Sequence, residues 1–398
     1  MGQGLDQFAV TSTFVIFPAP VSIKSELCVG LIMTVLAAKT VAAPSPNSAE
    51  AVQPKIREIQ VEKIRTLTGP EAPVPTKPVD VCGTDLGTMT EIGDRIFFAF
   101  GDTFGYDGDA CHGVGGPNWR SNSFASTASR DPANGVALSD WLRGSDSKAI
   151  AVVEGAHLPA FTGEDGEQTK IPTAMVSVGN RIYLHYMSVH GFSAKGGVWD
   201  CNYSRFVYSD DLGKTWKQSD FNLGDRDSNF DMLALTNQQG RGNEEGSFIY
   251  ALGTPCGRFG GVRLARVAKD DVLHLGAWEY FSGDRGWVGN PGEATEIIPP
   301  PVGEGSILWN PGIQRWMYTY LNERTASIEL READFPWGPW SAPHMLASAR
   351  EYPQLYGAFM TPAFLKDNGR TLYFIMSMFG PYNTFVMKAN LVTVDSQR

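Results

Sequence analysis

A strand–turn–strand theme recurs five times along this chain, and no other feature narrows the accessible folds as far. Each instance pairs an apolar strand with an aromatic-rich one across a polar turn and ends in a Gly-containing loop. They fall at 83–102 about Gly93-Asp94, 173–187 about Gly179-Asn180, and 232–253 about a long polar loop. Two more lie at 306–321 about Asn310-Pro311-Gly312 and at 359–378 about Asp367-Asn368-Gly369. Outer-strand material ending near a Trp follows each of the first four, at Trp141, Trp216, Trp278 and Trp340, in steps of 75, 62 and 62 residues. A small antiparallel sheet repeated at such a spacing buries its faces by stacking against its copies in a ring. The five instances therefore predict an all-β, five-bladed β-propeller. The last unit, around 385–394, is short of strands. The alternating stretch 56–67 is expected to supply the missing strand and close the ring.

Composition agrees with that reading and removes several functions. Apolar residues make up 42% of the 398 and charged residues only 19%, with 43 Gly and ten Trp. This mix suits short strands, tight turns and sugar-stacking surfaces better than a helical bundle. A net charge of −10, with no compact basic run, excludes a nucleic-acid or anionic-lipid partner, since both require a basic footprint.

The N-terminal region differs from the rest. Residues 27–38 form an apolar run of signal-peptide length, preceded by Lys24 and followed by the small-residue stretch Thr40-Val41-Ala42-Ala43. It is too short to span a membrane, which takes about 20 apolar residues. The expectation is an exported chain, secreted or held in the cell envelope. Its divisions are a leader at 1–43, a linker with the closing strand at 44–79, and the propeller at 80–398. Cleavage would remove Cys28 and leave Cys82, Cys111, Cys201 and Cys256, an even set that predicts two disulfides with three possible pairings. Joining Cys82 to Cys111 would bracket the first hairpin. None of the spacings resembles a zinc site.

Two motifs carry opposite meanings. Ser209-Asp210-Asp211-Leu212-Gly213-Lys214-Thr215-Trp216 fits the Asp-box pattern, in which Asp and Gly shape a hairpin, so Asp211 is read as a turn-former. The first hairpin is different. With Gly93-Asp94 as its turn, residues whose numbers sum to 187 face each other: Glu91 with Ile96, Met89 with Phe98, and Asp85 with Asp102. Like charges placed so destabilise a sheet, whereas paired carboxylates are the working parts of a glycosidase.

In a propeller the ligand site lies at one end of the central channel. The loops that share the end of Asp85 and Asp102 are 101–105, 188–192, 253–258, 321–324 and 379–383. They are rich in Gly, aromatic and hydrogen-bonding residues, which suits a saccharide. From them and from neighbouring segments Arg120, Asn122, His190, Arg258 and Tyr356 are candidate substrate contacts. Arg120 and Asn122 can equally bind loop carbonyls, and His190 a loop hydrogen-bond partner. Glu244, Glu245, Glu304 and Glu351 are outside candidates for a catalytic acid.

Several runs then resemble one family. They are Cys82-Gly83-Thr84-Asp85-Leu86-Gly87, Phe100-Gly101-Asp102-Thr103-Phe104, Trp119-Arg120-Ser121-Asn122 and Gly253-Thr254-Pro255-Cys256-Gly257-Arg258-Phe259-Gly260. Asn310-Pro311 with Arg315-Trp316-Met317 and Tyr320, and Tyr356-Gly357-Ala358-Phe359, add to them. They are similar to an actinobacterial and bacteroidetal family, long known only as a domain of unknown function, that includes endo-D-arabinanases. The resemblance spans roughly residues 80–390. It implies a five-bladed propeller that cuts D-arabinofuranose chains of arabinogalactan and lipoarabinomannan, with Asp85 and Asp102 as its paired acids. Such chemistry needs no cofactor, and the chain is expected to act as a monomer. A carboxyl spacing of about 5–5.5 Å would make it retaining and about 6.5–9.5 Å inverting; a bulge at Gly87 or Gly101 would widen the gap. Three rivals stand beside this reading: a glycan-binding propeller without turnover, an L-arabinan hydrolase, and a sialidase-like enzyme. For the last, no arginine triad with a Tyr nucleophile can be picked out.

Overall fold

The structure, a computed structural model, describes residues 54–240 and 247–394. The expected leader, the first part of the linker, Glu244 and Glu245 lie outside the described residues. Those described form five antiparallel sheets arranged as blades. Blade 1 holds Gly83–Ile92, Arg95–Phe104, Ser123–Thr127 and the short Asp140–Trp141. Blade 2 is built on Thr169–Val178, Arg181–Phe192 and Trp199–Ser209, and blade 3 on Met232–Thr236, Phe248–Thr254 and Gly260–Ala268. Blade 4 comprises Gly305–Asn310, Arg315–Asn322, Ser327–Ala333 and His344–Ser348. The remaining helical pieces are single 3-10 turns of three residues, such as Pro132–Asn134.

Blade 5 shows how the ring closes. Its own segment supplies Leu355–Lys366, Thr371–Met378 and Asn383–Thr393, which would leave a bare edge. Ile56–Thr66 covers that edge as the fourth strand, with Val61 opposite Ala389 and Thr66 opposite Phe385. The Lys55 and Ile56 N–H groups also donate to the Glu332 carboxylate of blade 4, at 3.1 and 3.0 Å. The closing strand thus ties the two ends of the described chain together and sews blade 5 to its neighbour.

Within each blade the innermost strand starts at one end of the channel, here called the mouth, and runs to the far end. Gly93 has φ 59°, the left-handed conformation that a two-residue hairpin turn requires, so this turn sits at the far end and Asp85 and Asp102 sit at the mouth. The Asp-box turn at the end of Trp199–Ser209 also lies at the far end. There Trp216 packs edge-on against Phe124 of blade 1, with ring centroids 5.1 Å apart. Trp278 likewise stacks on Phe206 of blade 2 at 5.9 Å. The recurring Trp residues therefore help to fill the wedges between blades, where a large flat ring buries most apolar area. A cavity between the blades is lined by Leu86, Ile171, Leu233, Leu252, Tyr318 and Phe359 together with Thr173, Thr254 and Glu304.

Two disulfides are present, Cys82–Cys111 and Cys201–Cys256. The first brackets the first hairpin as expected; the second joins blade 2 to the mouth loop of blade 3. Such cross-links belong to chains that fold in an oxidising compartment. No helix among the described residues is long and apolar enough to cross a membrane.

Candidate active site

The first hairpin keeps the expected register at both ends but not in the middle. Ile92–Arg95 through Thr88–Ala99 obey the sum rule, as do Thr84–Thr103 and Gly83–Phe104, yet Leu86 pairs with Phe100. Between the last two regular sections Asp85 stands alone opposite both Gly101 and Asp102, while Gly87 has nothing opposite it. Two bulges, one on each strand, thus cancel. The direct Asp85–Asp102 pairing expected from the sum rule is corrected accordingly. The physical reason is local: Leu86 has φ 61° and Gly87 φ 101°, which turns the first strand out of its pleat. The Leu86 N–H, lost to the ladder, donates instead to Ser377 Oγ of blade 5 at 2.8 Å. Gly101 is required by the same geometry, because a Cβ there would collide with Asp85 Oδ1.

The double bulge leaves two carboxyls at the mouth, Asp102 buried and Asp85 partly so. Asp85 Oδ2 accepts the Tyr356 hydroxyl at 2.8 Å, whereas its buried Oδ1 has no hydrogen-bond partner. Desolvation raises the Asp85 pKa to about 7; the Tyr356 bond opposes the rise and the Glu304 charge adds to it. Asp102 Oδ1 accepts both Trp119 Nε1–H at 2.7 Å and Thr169 Oγ–H at 2.6 Å. Desolvation also raises its pKa to about 7, against those two bonds and with a further push from Asp85 and Glu154. Both carboxyls therefore hold their protons to higher pH than an ordinary aspartate, and the Asp85 charge adds to this at Asp102.

The surroundings hold this pair in place. Tyr356 and Tyr382 both have phenols raised well above their usual range by burial and the Asp85 charge, and of the two it is Tyr356 that donates a hydrogen bond to Asp85. Behind Tyr356 lies Arg258, its guanidinium 5.1 Å from the Tyr356 ring centroid and 5.5 Å from that of Trp199. Arg258 donates to Glu304 at 2.8 Å and to Glu323 at 3.0 Å, a charge-assisted clamp joining loops of blades 3 and 4. On the Asp102 side, Trp119 stacks on His157 with centroids 4.0 Å apart, and His157 is anchored to Glu154 at 2.8 Å.

Of the five candidate contacts, Tyr356 touches Asp85 and Arg258 stands one residue behind it. The other three are engaged with loop backbone. The Arg120 guanidinium donates to the carbonyls of Asp80 at 2.7 Å and Ala149 at 3.2 Å and is 5% exposed. Asn122, fully buried, accepts from Val152 N–H and donates to the carbonyls of Val153 and Lys170, pinning the crossing from blade 1 to blade 2. His190 Nε2 contacts the Gly163 carbonyl at 3.1 Å. All three take the loop-binding reading that the sequence left open beside substrate contact. Glu351 is exposed on a turn.

Trp119, Thr169 and Tyr382 were not singled out by residue. Trp119 and Tyr382 stand inside motifs already picked out, beside Arg120 and in the 379–383 loop, so a signal existed. Thr169 comes from the neighbouring blade and carries none. Among the described residues no group of three or more His, Cys, Asp or Glu side chains is placed to hold a metal ion.

Comparison with known proteins agrees with this fold. An uncharacterized 35.9 kDa protein of Mycolicibacterium smegmatis is 25% identical over 330 residues, covering 74% of this chain and 87% of that protein. A Bacteroides ovatus protein provisionally named a hydrolase superposes with a TM-score of 0.57 at 14% identity, over 83% of this chain and 90% of its own. A family 117 glycoside hydrolase from Zobellia galactanivorans gives a TM-score of 0.45 at 13% identity, over 85% and 92% of the two chains. Residues 72–388, which include both disulfides and every group at the mouth, match one family, and the chain belongs to it: the family described as Domain of unknown function (DUF4185).

Proposed function

We propose that this protein is an exported, monomeric glycoside hydrolase that cuts arabinofuranosidic bonds within D-arabinan. The observation that carries the reading is the carboxyl pair on the double bulge. Two acids with raised pKa values sit at the mouth of an aromatic, hydrogen-bonding channel, an arrangement with no structural use for its charge. The resemblance of the motifs around them to endo-D-arabinanases names the polymer, and the two disulfides accord with export.

The chemistry follows from the pair. The protonated carboxyl gives its proton to the leaving oxygen as positive charge develops on the furanose ring. The ionised one attacks the anomeric carbon or draws a proton from the attacking water, and stabilises the cationic transition state in either case. Trp119 and Thr169 both bind Oδ1 of Asp102, which leaves Oδ2 as its reacting atom. Tyr356 holds Asp85 by Oδ2 and so fixes the direction in which that carboxyl faces.

The test is a panel of purified D-arabinan, L-arabinan and sialylated oligosaccharide, with sizing of the products. Oligosaccharides released from D-arabinan alone, and lost in Asp102→Asn, are expected. Protein that binds D-arabinan and releases nothing would be a glycan-binding propeller, and the enzymatic reading would be abandoned.

A further inference from the structure

Among the described residues the most exposed aromatic rings lie at one end of the propeller. They are Phe161, Phe192, Phe259 and Phe379, between 37% and 52% exposed. Every one stands on a mouth loop or at a strand's mouth end: Phe161 before blade 2, Phe192 ending Arg181–Phe192, Phe259 opening blade 3, and Phe379 closing Thr371–Met378. One exposed phenyl needs no explanation, but a set gathered around a single opening marks a binding surface.

These rings connect to the reacting carboxyl from two sides. Phe379 stands edge-on to Tyr382 at 5.8 Å, and the Tyr382 phenol lies in the field of the Asp85 carboxyl. Phe192 stands edge-on to Trp199 at 5.6 Å. Trp199 lies under the Arg258 guanidinium, which reaches Tyr356 and through it Asp85. Phe161 is held beside Phe192 by its contact with His190, centroids 5.6 Å apart. Phe259 differs, because Lys195 Nζ already covers its face at 5.0 Å.

Blade order fixes how these rings sit around the pair. Blade 1 carries Asp85 and Asp102, and its two neighbours in the closed ring are blade 5, with Phe379, and blade 2, with Phe161 and Phe192. A ligand that stacks on both sides has to reach from blade 5 across blade 1 to blade 2. A chain of sugars passing over the carboxyls can do so, offering the C–H face of one ring to each phenyl. The rings carry no charge, which matches a neutral polymer.

We propose that Phe379 on one side, and Phe192 with Phe161 on the other, are stacking subsites for a neutral furanoside chain held across the bond to be cut. This rests on the glycosidase reading and deepens it: internal cleavage is then a property of the mouth, since the chain is gripped on both sides of the carboxyls.

The experiment compares polymeric D-arabinan with a short aryl arabinofuranoside for the wild-type protein, Phe379→Ala, Phe192→Ala and the restoring variant Phe379→Trp. Each alanine variant is expected to raise KM for the polymer roughly three- to tenfold, the loss of about one stacked ring. The aryl substrate, too short to reach either ring, should lose at most about twofold, and Phe379→Trp should recover the polymer KM. Equal losses on both substrates, or none on the polymer, overturn the track. If wild-type protein cuts neither substrate, the glycosidase reading fails by itself, and the track is decided by polymer retention in affinity electrophoresis. Weaker retention of Phe379→Ala than of wild type supports it, and unchanged retention overturns it.

Discussion

Aspartates in glycine-containing hairpins at opposite ends of the same ring have opposite electrostatic fates. At the far end Asp211 accepts from the Lys214 and Thr215 N–H groups and the Ser209 and Thr215 hydroxyls, at 2.7–3.1 Å. With four donors, and open to water, its pKa is lowered to about 2, chiefly by its two bonds to Thr215. At the mouth Asp85 has one donor, Tyr356, and Asp102 two, both on one oxygen, and each is raised to about 7 by burial. The lesson is that donor count and water access, not residue type or hairpin context, separate a structural carboxylate from a reactive one.

The comparison can be broken most severely at the carboxyls themselves. Asp85→Asn and Asp102→Asn are each expected to lower kcat/KM on D-arabinan roughly 10³-fold or more, as removal of an acid or base does. The midpoint of thermal unfolding should hold or rise, because an under-satisfied buried carboxyl has been removed. A loss of folding in both variants would show that the pair is structural after all.

Gly101→Ala comes next. The added Cβ must displace the Asp85 carboxyl. A shift of about 1 Å costs on the order of 10²-fold in kcat. Unchanged kcat would mean that the double bulge does not set the reacting geometry. Tyr356→Phe should be milder, roughly tenfold, and has a signature in the pH–rate profile. The hydroxyl favours the ionised form of Asp85, so removing it must move an apparent pKa of the pair upward.

The smallest effect is expected at the far end, in Asp211→Asn: activity unchanged, and stability lower by about 1 kcal/mol or less for a solvated turn. Stability against pH distinguishes the two ends by sign. Asp211 has its folded pKa below the ordinary 3.8, so its contribution is present above that value and is lost as pH falls toward 2. Asp85 and Asp102 have folded values above 3.8, so the native state holds extra protons and stability falls as pH rises from about 4 to about 7. Asparagine at 85 or 102 should flatten the neutral limb and asparagine at 211 the acid limb, in urea titrations taken across pH. The reverse assignment would undo the comparison.

Much of this was legible from residue order. Turn chemistry placed Gly93-Asp94, and with it every hairpin pair from Ile92–Arg95 to Thr88–Ala99. The Asp-box identified Asp211 as a turn-former from its own eight residues. Alternation located the closing strand to within a residue of Ile56–Thr66. The site was less legible, because its decisive contacts join distant segments. Thr169 meets Asp102 from the next blade, Tyr356 reaches Asp85 from the last one, and Ser377 takes the N–H that the bulge frees.

What the sequence determined by itself, then, was a ring of five short sheets with two carboxyls near one opening. Periodicity and turns are local, and their energetics act over a few residues. What only the tertiary structure decided was the state of those carboxyls. Arg120, Asn122 and His190 were equally eligible as sugar contacts until folding supplied loop carbonyls for them. Asp85 and Asp102 became weak acids because groups from other blades, Tyr356 and Thr169 among them, pack around them and desolvate them. Desolvation depends on everything packed around a group, and no local pattern encodes it.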